Sequence, residues 1–220
     1  MLGRITDTLE ERLLLERIGP APGMRVLDVG CGDGVLTTRL AQDGLEVTGL
    51  DTSTTMIDAA RRRVKAAGVQ AELIRGNVAE LPFPGEQFDC VVSVATLCFV
   101  DDPDHAIREV VRVLNPGGQL ILGELGRRNL WAAQRRIKGW FGSNLWRAAH
   151  FRSRADLLAL ADRAGLKDAA VTGAVFYPPF GLAAKTMAPI DPWIGRWTTL
   201  GAAFLVLNAT KPCKTHLMGS

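Results

Sequence analysis

Asp28 and Asp51 each close a short apolar run, MRVLDVG (24–30) and LEVTGLD (45–51). Between them lies the glycine-rich stretch VGCGDG. A strand, a glycine turn and a helix N-terminus together aim backbone amides and a positive dipole end at a ligand. Gly30, Gly32 and Gly34 remove the Cβ atoms that would hold a ligand away from the backbone. A tight strand-to-helix turn with no ligand would call for the same residue type. Two details favour the ligand. The spacing is GxGxG, whereas dinucleotide sites use GxGxxG. Asp28 stands two residues before the first glycine, where a carboxylate would repel a pyrophosphate and attract an ammonium or a sulfonium. The loop reads as built for a cationic amino-acid nucleoside, which points to S-adenosylmethionine (SAM).

A second acid suits the same ligand. Asp51 follows Gly30 by 21 residues, where a carboxylate accepts both hydroxyls of a ribose. Its other reading, a helix cap, is already served by Ser53. At the end of a third strand, Asn77 and Val78 offer an amide and a backbone N–H to the adenine edge. Thr52 and Met56 offer a face for the ring, although a methionine at helical spacing equally suits a core. If a methyl acceptor must lose a proton, the candidate catalytic base is His150, with His105 and Tyr177 behind it. His105 falls in a first helical turn and reads as surface, and Cys98 reads as packing.

The elements that must position these residues alternate between short β-branched runs and longer helical stretches, which predicts parallel βαβ units. Strands are expected at 24–30, 45–51, 71–77, 88–95, 119–125, 169–176 and 202–209. Ser53, Asp102 and Ser153 are the expected helix caps, with Pro103 in a first turn and Asp156 completing a capping box. NPGG (115–118) is expected as a turn. The sum is an α/β, Rossmann-like, doubly wound seven-stranded sheet in one domain over 1–220, with ligands at the carboxyl ends of the strands.

In these segments the chain resembles the class I SAM-dependent methyltransferases, in the small-molecule branch near the ubiquinone/menaquinone C-methyltransferases. VLDVGCGDG resembles the methionine-binding loop, GLDTSTTMI the ribose segment and GNVAELPFPGEQFDCVVS the adenine segment. REVVRVLNPGGQLIL follows in the same order. The resemblance implies strand order 3-2-1-4-5-7-6 with the seventh strand antiparallel. It implies that Asp28, Gly30 and Gly32 hold the methionine moiety, Asp51 the ribose, Thr52 and Met56 the adenine face, and Asn77 with Val78 the adenine edge. Val94 would add a backbone contact near the methionine end. The N-terminal His, Arg and Trp cluster of the quinone enzymes is missing before residue 24, so the acceptor stays open between a quinone and another hydrophobic or amphiphilic small molecule.

Charge is unevenly placed. The chain carries +3 overall, yet residues 126–155 hold eight cations and no acid, leaving −5 on the remainder. Trp131, Trp140, Phe141, Trp146 and Phe151 are interleaved with those cations. Leu130, Ala133, Ile137 and Phe141 share one helical face, with Arg135, Arg136 and Lys138 away from it. A basic, tryptophan-bearing amphipathic stretch suits a membrane interface or an amphiphilic anionic substrate; a cap with core aromatics and solvated arginines is the plainer reading. The proline-broken segment 178–199 is expected as a lid over a hydrophobic pocket. Nucleic acid is not an expected partner of a chain that is otherwise acidic. The four cysteines form no CxxC pair, no metal set is suggested, and no secretory or membrane-spanning pattern is visible. A cytoplasmic protein, peripheral at the inner membrane face through 127–151, is the expectation. Two other classes compete with a methyltransferase: an NAD-dependent oxidoreductase or epimerase-like enzyme, and a SAM-binding module without catalysis.

Overall fold

The computed structural model of the chain describes residues 2–179 and 186–213. Seven strands form one sheet: β1 (Arg25–Val29), β2 (Glu46–Asp51), β3 (Glu72–Arg75), β4 (Phe88–Val94), β5 (Leu114–Leu125), β6 (Lys167–Ala174) and β7 (Phe204–Thr210). Their order is β3-β2-β1-β4-β5-β7-β6. β7 runs antiparallel to both β5 and β6, and the other pairings are parallel. The expected fold class, order and antiparallel strand are all present.

The central strands are buried on both faces, which is why they read as continuous apolar runs instead of alternating ones. Leu27, Leu120 and Leu122 face helices α4 (Pro103–Val113) and α7 (Arg154–Arg163) through Ile107, Val110, Leu157 and Leu160. Val26, Ile121 and Val206 face α1 (Leu2–Ile18) and α2 (Val35–Gln42) through Leu14, Ile18 and Leu40. All three expected caps form. The Ser53 hydroxyl accepts from the Met56 amide to start α3 (Thr54–Ala66), Asp102 accepts from His105, and Ser153 with Asp156 closes a reciprocal capping box.

Two details depart from the sequence pattern. The NPGG segment is strand, not turn: β5 begins at Leu114, opposite Phe88, and resumes regular pairing after a register shift. Asn115 donates to the Asp89 carboxylate at 2.6 Å and Gly117 to the Lys211 carbonyl, so neighbouring chain on both sides supplies partners for backbone that would otherwise turn away. The second departure is in the insert, which forms α5 (Leu130–Trp140) and α6 (Asn144–Ala148). The apolar face of α5 points outward: Leu130, Ile137 and the following Phe141 are exposed, Phe141 by 87%, and Trp140 by 82%. The inward positions are Ala132 and Gly139, because α6 backbone lies 3.1–3.2 Å from where a Gly139 Cβ would be. Arg135, expected outside, is the half-buried one, stacked on Trp131 and Trp146 with ring centroids 5.7 and 5.1 Å away. Of the expected lid, 180–185 lies outside the described residues; its last turn is α8 (Asp191–Trp197), with Trp193 and Trp197 exposed.

Candidate cofactor-binding site

The loop after β1 rests at the carboxyl end of the sheet, and its three glycines have three different surroundings. A Cβ on Gly30 would fall 2.0 Å from the Thr96 hydroxyl, and one on Gly34 would fall 2.8 Å from the Ala60 Cβ of α3. Those two are small because protein fills the space. Gly32 has φ +54° and meets nothing within 4 Å. Only there does the missing side chain leave an open cradle, the feature expected of a position that a ligand must approach.

Asp51 ties this cradle to β2. One carboxylate oxygen accepts from the Gly32 amide at 3.0 Å and the other from Ser53 at 2.8 Å. Each oxygen then keeps acceptor capacity for a hydroxyl. Thr52 and Met56 are exposed beside it, Met56 by 44%, so this methionine is not core. The Asn77 side chain is exposed and its carbonyl accepts from the Ala79 amide at 3.0 Å, which closes the turn after β3 and leaves its NH2 group as the outward donor. The Val78 side chain is buried in the core, which fixes the backbone of that turn. Val94 ends β4, and Thr96 two residues on donates to the carbonyls of Val29 and Val94, clamping the ends of β1 and β4 together.

Asp28 lies differently from expectation. Its carboxylate is only 2% exposed and turns beneath the loop, where the Thr37 hydroxyl donates to it at 2.6 Å. The Thr37 amide also supports its charge, so Asp28 acts as the cap that α2 otherwise lacks, Gly34 having no side chain to offer. Burial, opposed by these bonds and reinforced by Asp51, moves its pKa from 3.8 to about 6. Asp28 therefore anchors the loop from beneath and presents no face to the cleft. Local spacing could place this carboxylate at the strand end but could not say which way it turned.

The candidate bases stand in three different settings. His150 is exposed; its amide donates to the Cys98 carbonyl at 2.8 Å, and it lines a cavity of about 750 Å³ with Arg127, Arg136, Arg152 and Arg163. His105 is surface, its ring nitrogen 2.9 Å from the Ala79 carbonyl. Tyr177 is buried, its hydroxyl 3.2 Å from Thr6. Cys98 is buried and its thiol is pushed up to about 12, chiefly by burial. Among the described residues no cluster of His, Cys, Asp and Glu could hold a metal.

Sequence reading missed a buried pair. Glu124, wholly buried at the end of β5, faces Arg152 at 3.7 Å, and burial moves its pKa from 4.5 to about 7. Arg152 in turn donates to the Leu97 carbonyl at 3.1 Å, so the pair joins β5, the 3₁₀ turn Leu97–Phe99 and the far end of the insert. An acid inside an otherwise apolar strand, QLILGEL, was the available signal.

Comparison with known proteins adds the family. A methyltransferase-domain model matches residues 27–122. The ubiquinone biosynthesis O-methyltransferase of Klebsiella pneumoniae is 30% identical over 172 residues, 75% of this chain and 71% of that protein. The chain belongs to the class I SAM-dependent methyltransferases. A ubiquinone/menaquinone biosynthesis C-methyltransferase of Vibrio cholerae is 35% identical over 124 residues, and a demethylmenaquinone methyltransferase of Renibacterium salmoninarum 37% over 113. The chain spans about half the length of these last two, 48% and 46%. Among solved structures, a SAM-dependent methyltransferase of Thermotoga maritima, described as a possible histamine N-methyltransferase, superposes with TM-score 0.73 over 96% of this chain and 91% of that one, at 24% identity. A phosphoethanolamine N-methyltransferase of Haemonchus contortus in complex with SAM gives 0.69 over 92% and 52%, at 22%. At such identities the fold is what is shared. SAM is the cofactor of this methyltransferase family, and the open cradle at Gly32 beside the Asp51 carboxylate fits it.

Proposed function

We propose that this chain transfers a methyl group from SAM to a hydrophobic or amphiphilic small molecule of the quinone kind. The observation that carries the reading is the division of labour among the loop glycines: protein fills the space at Gly30 and Gly34, whereas Gly32 is open and its amide is held by Asp51. Both C- and O-methyltransferases of quinone biosynthesis are among the relatives, which supports a quinone-type acceptor.

When bound, the cofactor supplies an activated methyl carbon on sulfur. The chain then has to bind, orient and dry the reactants. Asp51 takes the ribose hydroxyls, Thr52 and Met56 the adenine face, Asn77 and the Val78 amide its edge, and Gly30, Gly32 and Val94 the methionine end. Asp28, through Thr37, holds the loop in place and adds negative field beneath a cation. Where the acceptor starts as a hydroxyl, His150 would take its proton.

The chain is read as one unit, with 126–155 and the described residues 178–179 and 186–199 covering the acceptor. Trp140 and Phe141, exposed among cations, would seat 127–151 on an anionic membrane at its cytoplasmic face. No helix among the described residues is long and apolar enough to cross a membrane.

The test is calorimetry with S-adenosylhomocysteine on the full chain and on Gly32→Ala. Micromolar binding is expected, weakened by about tenfold or more in the variant, whose melting temperature falls by about 2–8 °C, the cost of about 1–2 kcal/mol for a side chain at φ +54°. No binding to the unsubstituted chain at millimolar ligand would end the reading.

A further inference from the structure

Beyond the end of β5 and the start of β7 lies a cavity of about 330 Å³, apart from the glycine loop but at the same end of the sheet. Arg127, Arg128, Arg152 and Arg154 line it, and no lining residue among those described is acidic. Ser153, Thr198 and Thr199 add hydroxyls, while Leu200, Ala202 and Leu205 form an apolar wall. Two of the guanidinium groups are pinned from behind. Arg127 pairs with Asp156 at 3.1 Å and donates to the Phe151 carbonyl, and Arg152 pairs with Glu124 and donates to the Leu97 carbonyl. Arg128 and Arg154 are exposed and have no carboxylate partner among the described residues. With Asp156 set against Arg127, and Glu124 against Arg152 when ionised, at least two positive charges remain uncompensated around one small hollow.

We propose that this cavity binds a phosphate or diphosphate ester. Planar guanidinium forks match phosphate oxygens in pairs, and fixed forks lose less freedom on binding than mobile ones. Arg127 and Arg152 are fixed by their bonds, and Arg128 and Arg154 close on the anion. α7 opens beside the cavity; Ser153 takes the Asp156 amide, and the Arg154 and Ala155 amides of the first turn have no partner within the helix. The apolar wall suits the organic part of an ester. The larger cavity of about 750 Å³ shares Arg127, Arg152 and Ala155 with this one and offers room for the remainder of such a molecule. The phosphate could belong to a soluble ester or to a lipid headgroup, and the recognising chemistry is the same.

The site is independent of the cofactor reading and is tested separately. Inorganic pyrophosphate is titrated into the full chain by calorimetry at two salt concentrations, and S-adenosylhomocysteine binding is measured on the same samples. Binding that weakens with salt is expected. Arg128→Gln combined with Arg154→Gln should lower pyrophosphate affinity by about tenfold or more, as expected for losing charge-assisted bonds. S-adenosylhomocysteine binding should be unchanged, which also shows the variant is folded. No pyrophosphate binding at millimolar concentration, or equal binding by the double variant, overturns the proposal; loss of S-adenosylhomocysteine binding by the unsubstituted chain would instead strike the cofactor reading alone. Two further arms locate the source. Flotation with phosphatidylglycerol vesicles that the unsubstituted chain shows and the Arg128→Gln, Arg154→Gln variant loses assigns a lipid headgroup, and loss of glycerol 3-phosphate binding with flotation intact assigns a soluble ester.

Discussion

Glu124→Gln should change how the stability of this protein depends on pH. The side chain has no exposed surface, and its charge is held only by Arg152 at 3.7 Å and by the amides of Leu97 and Cys98, which point toward it without full hydrogen-bond geometry. Burial therefore wins, and the carboxyl is displaced from 4.5 to about 7. The sign follows from proton counting. Between the ordinary value and about 7 the folded chain keeps a proton that the unfolded chain has released, so stability falls as pH rises through that window and is level above it. At about 1.4 kcal/mol per pH unit, the loss across the window is about 3 kcal/mol. For a chain of this length that is roughly 6–12 °C in melting temperature. Glutamine cannot ionise, so the difference between variant and unsubstituted chain should move in favour of the variant by about 2–3 kcal/mol between pH 5 and pH 8. The assay is differential scanning calorimetry of both proteins in matched buffers, where other titrating groups cancel in the difference. The variant's absolute stability is not the readout, since glutamine also leaves Arg152 facing a dipole instead of a charge. If the difference stays constant within about 0.5 kcal/mol, the buried-charge argument is wrong.

Thr37→Val keeps the shape of the side chain but removes the hydroxyl that holds Asp28. A cost of about 1.5–3 kcal/mol is expected at pH 8, shrinking at pH 5 as Asp28, with its pKa near 6, takes a proton; urea titration at both values reads it. Gly34→Ala should cost roughly 2–4 kcal/mol, because φ is +79° and the new methyl would stand 2.8 Å from the Ala60 Cβ. Adding Ala60→Gly should recover the steric part only, as seen in the melting temperature. Trp140→Ser with Phe141→Ser should leave that temperature within a degree or two, both rings being almost fully exposed, while abolishing flotation with anionic vesicles.

What was legible from the chain alone were features whose cause is local. The apolar runs, the glycine turn and the capping residues Ser53, Asp102 and Ser153 act through their own neighbours, so spacing was enough to place them and, with the family resemblance, to give the order of the sheet. The same spacing put Asp28, Asp51, Gly32 and Asn77 at the ends of the right strands. Tertiary packing decided which way those groups face. Asp28 turned under the loop because Thr37, nine residues on, offers two donors there. Only contact with Thr96 and Ala60 separated the packing glycines from the open one. The helical face of Leu130 and Ile137 turned outward because α5 meets α6 through small residues, and Arg135 went inward onto two indoles. Glu124 and Arg152 are 28 positions apart and acquire meaning only when the insert folds back on the sheet. The energy of a buried charge depends on what surrounds it in space, and a linear pattern does not carry that information.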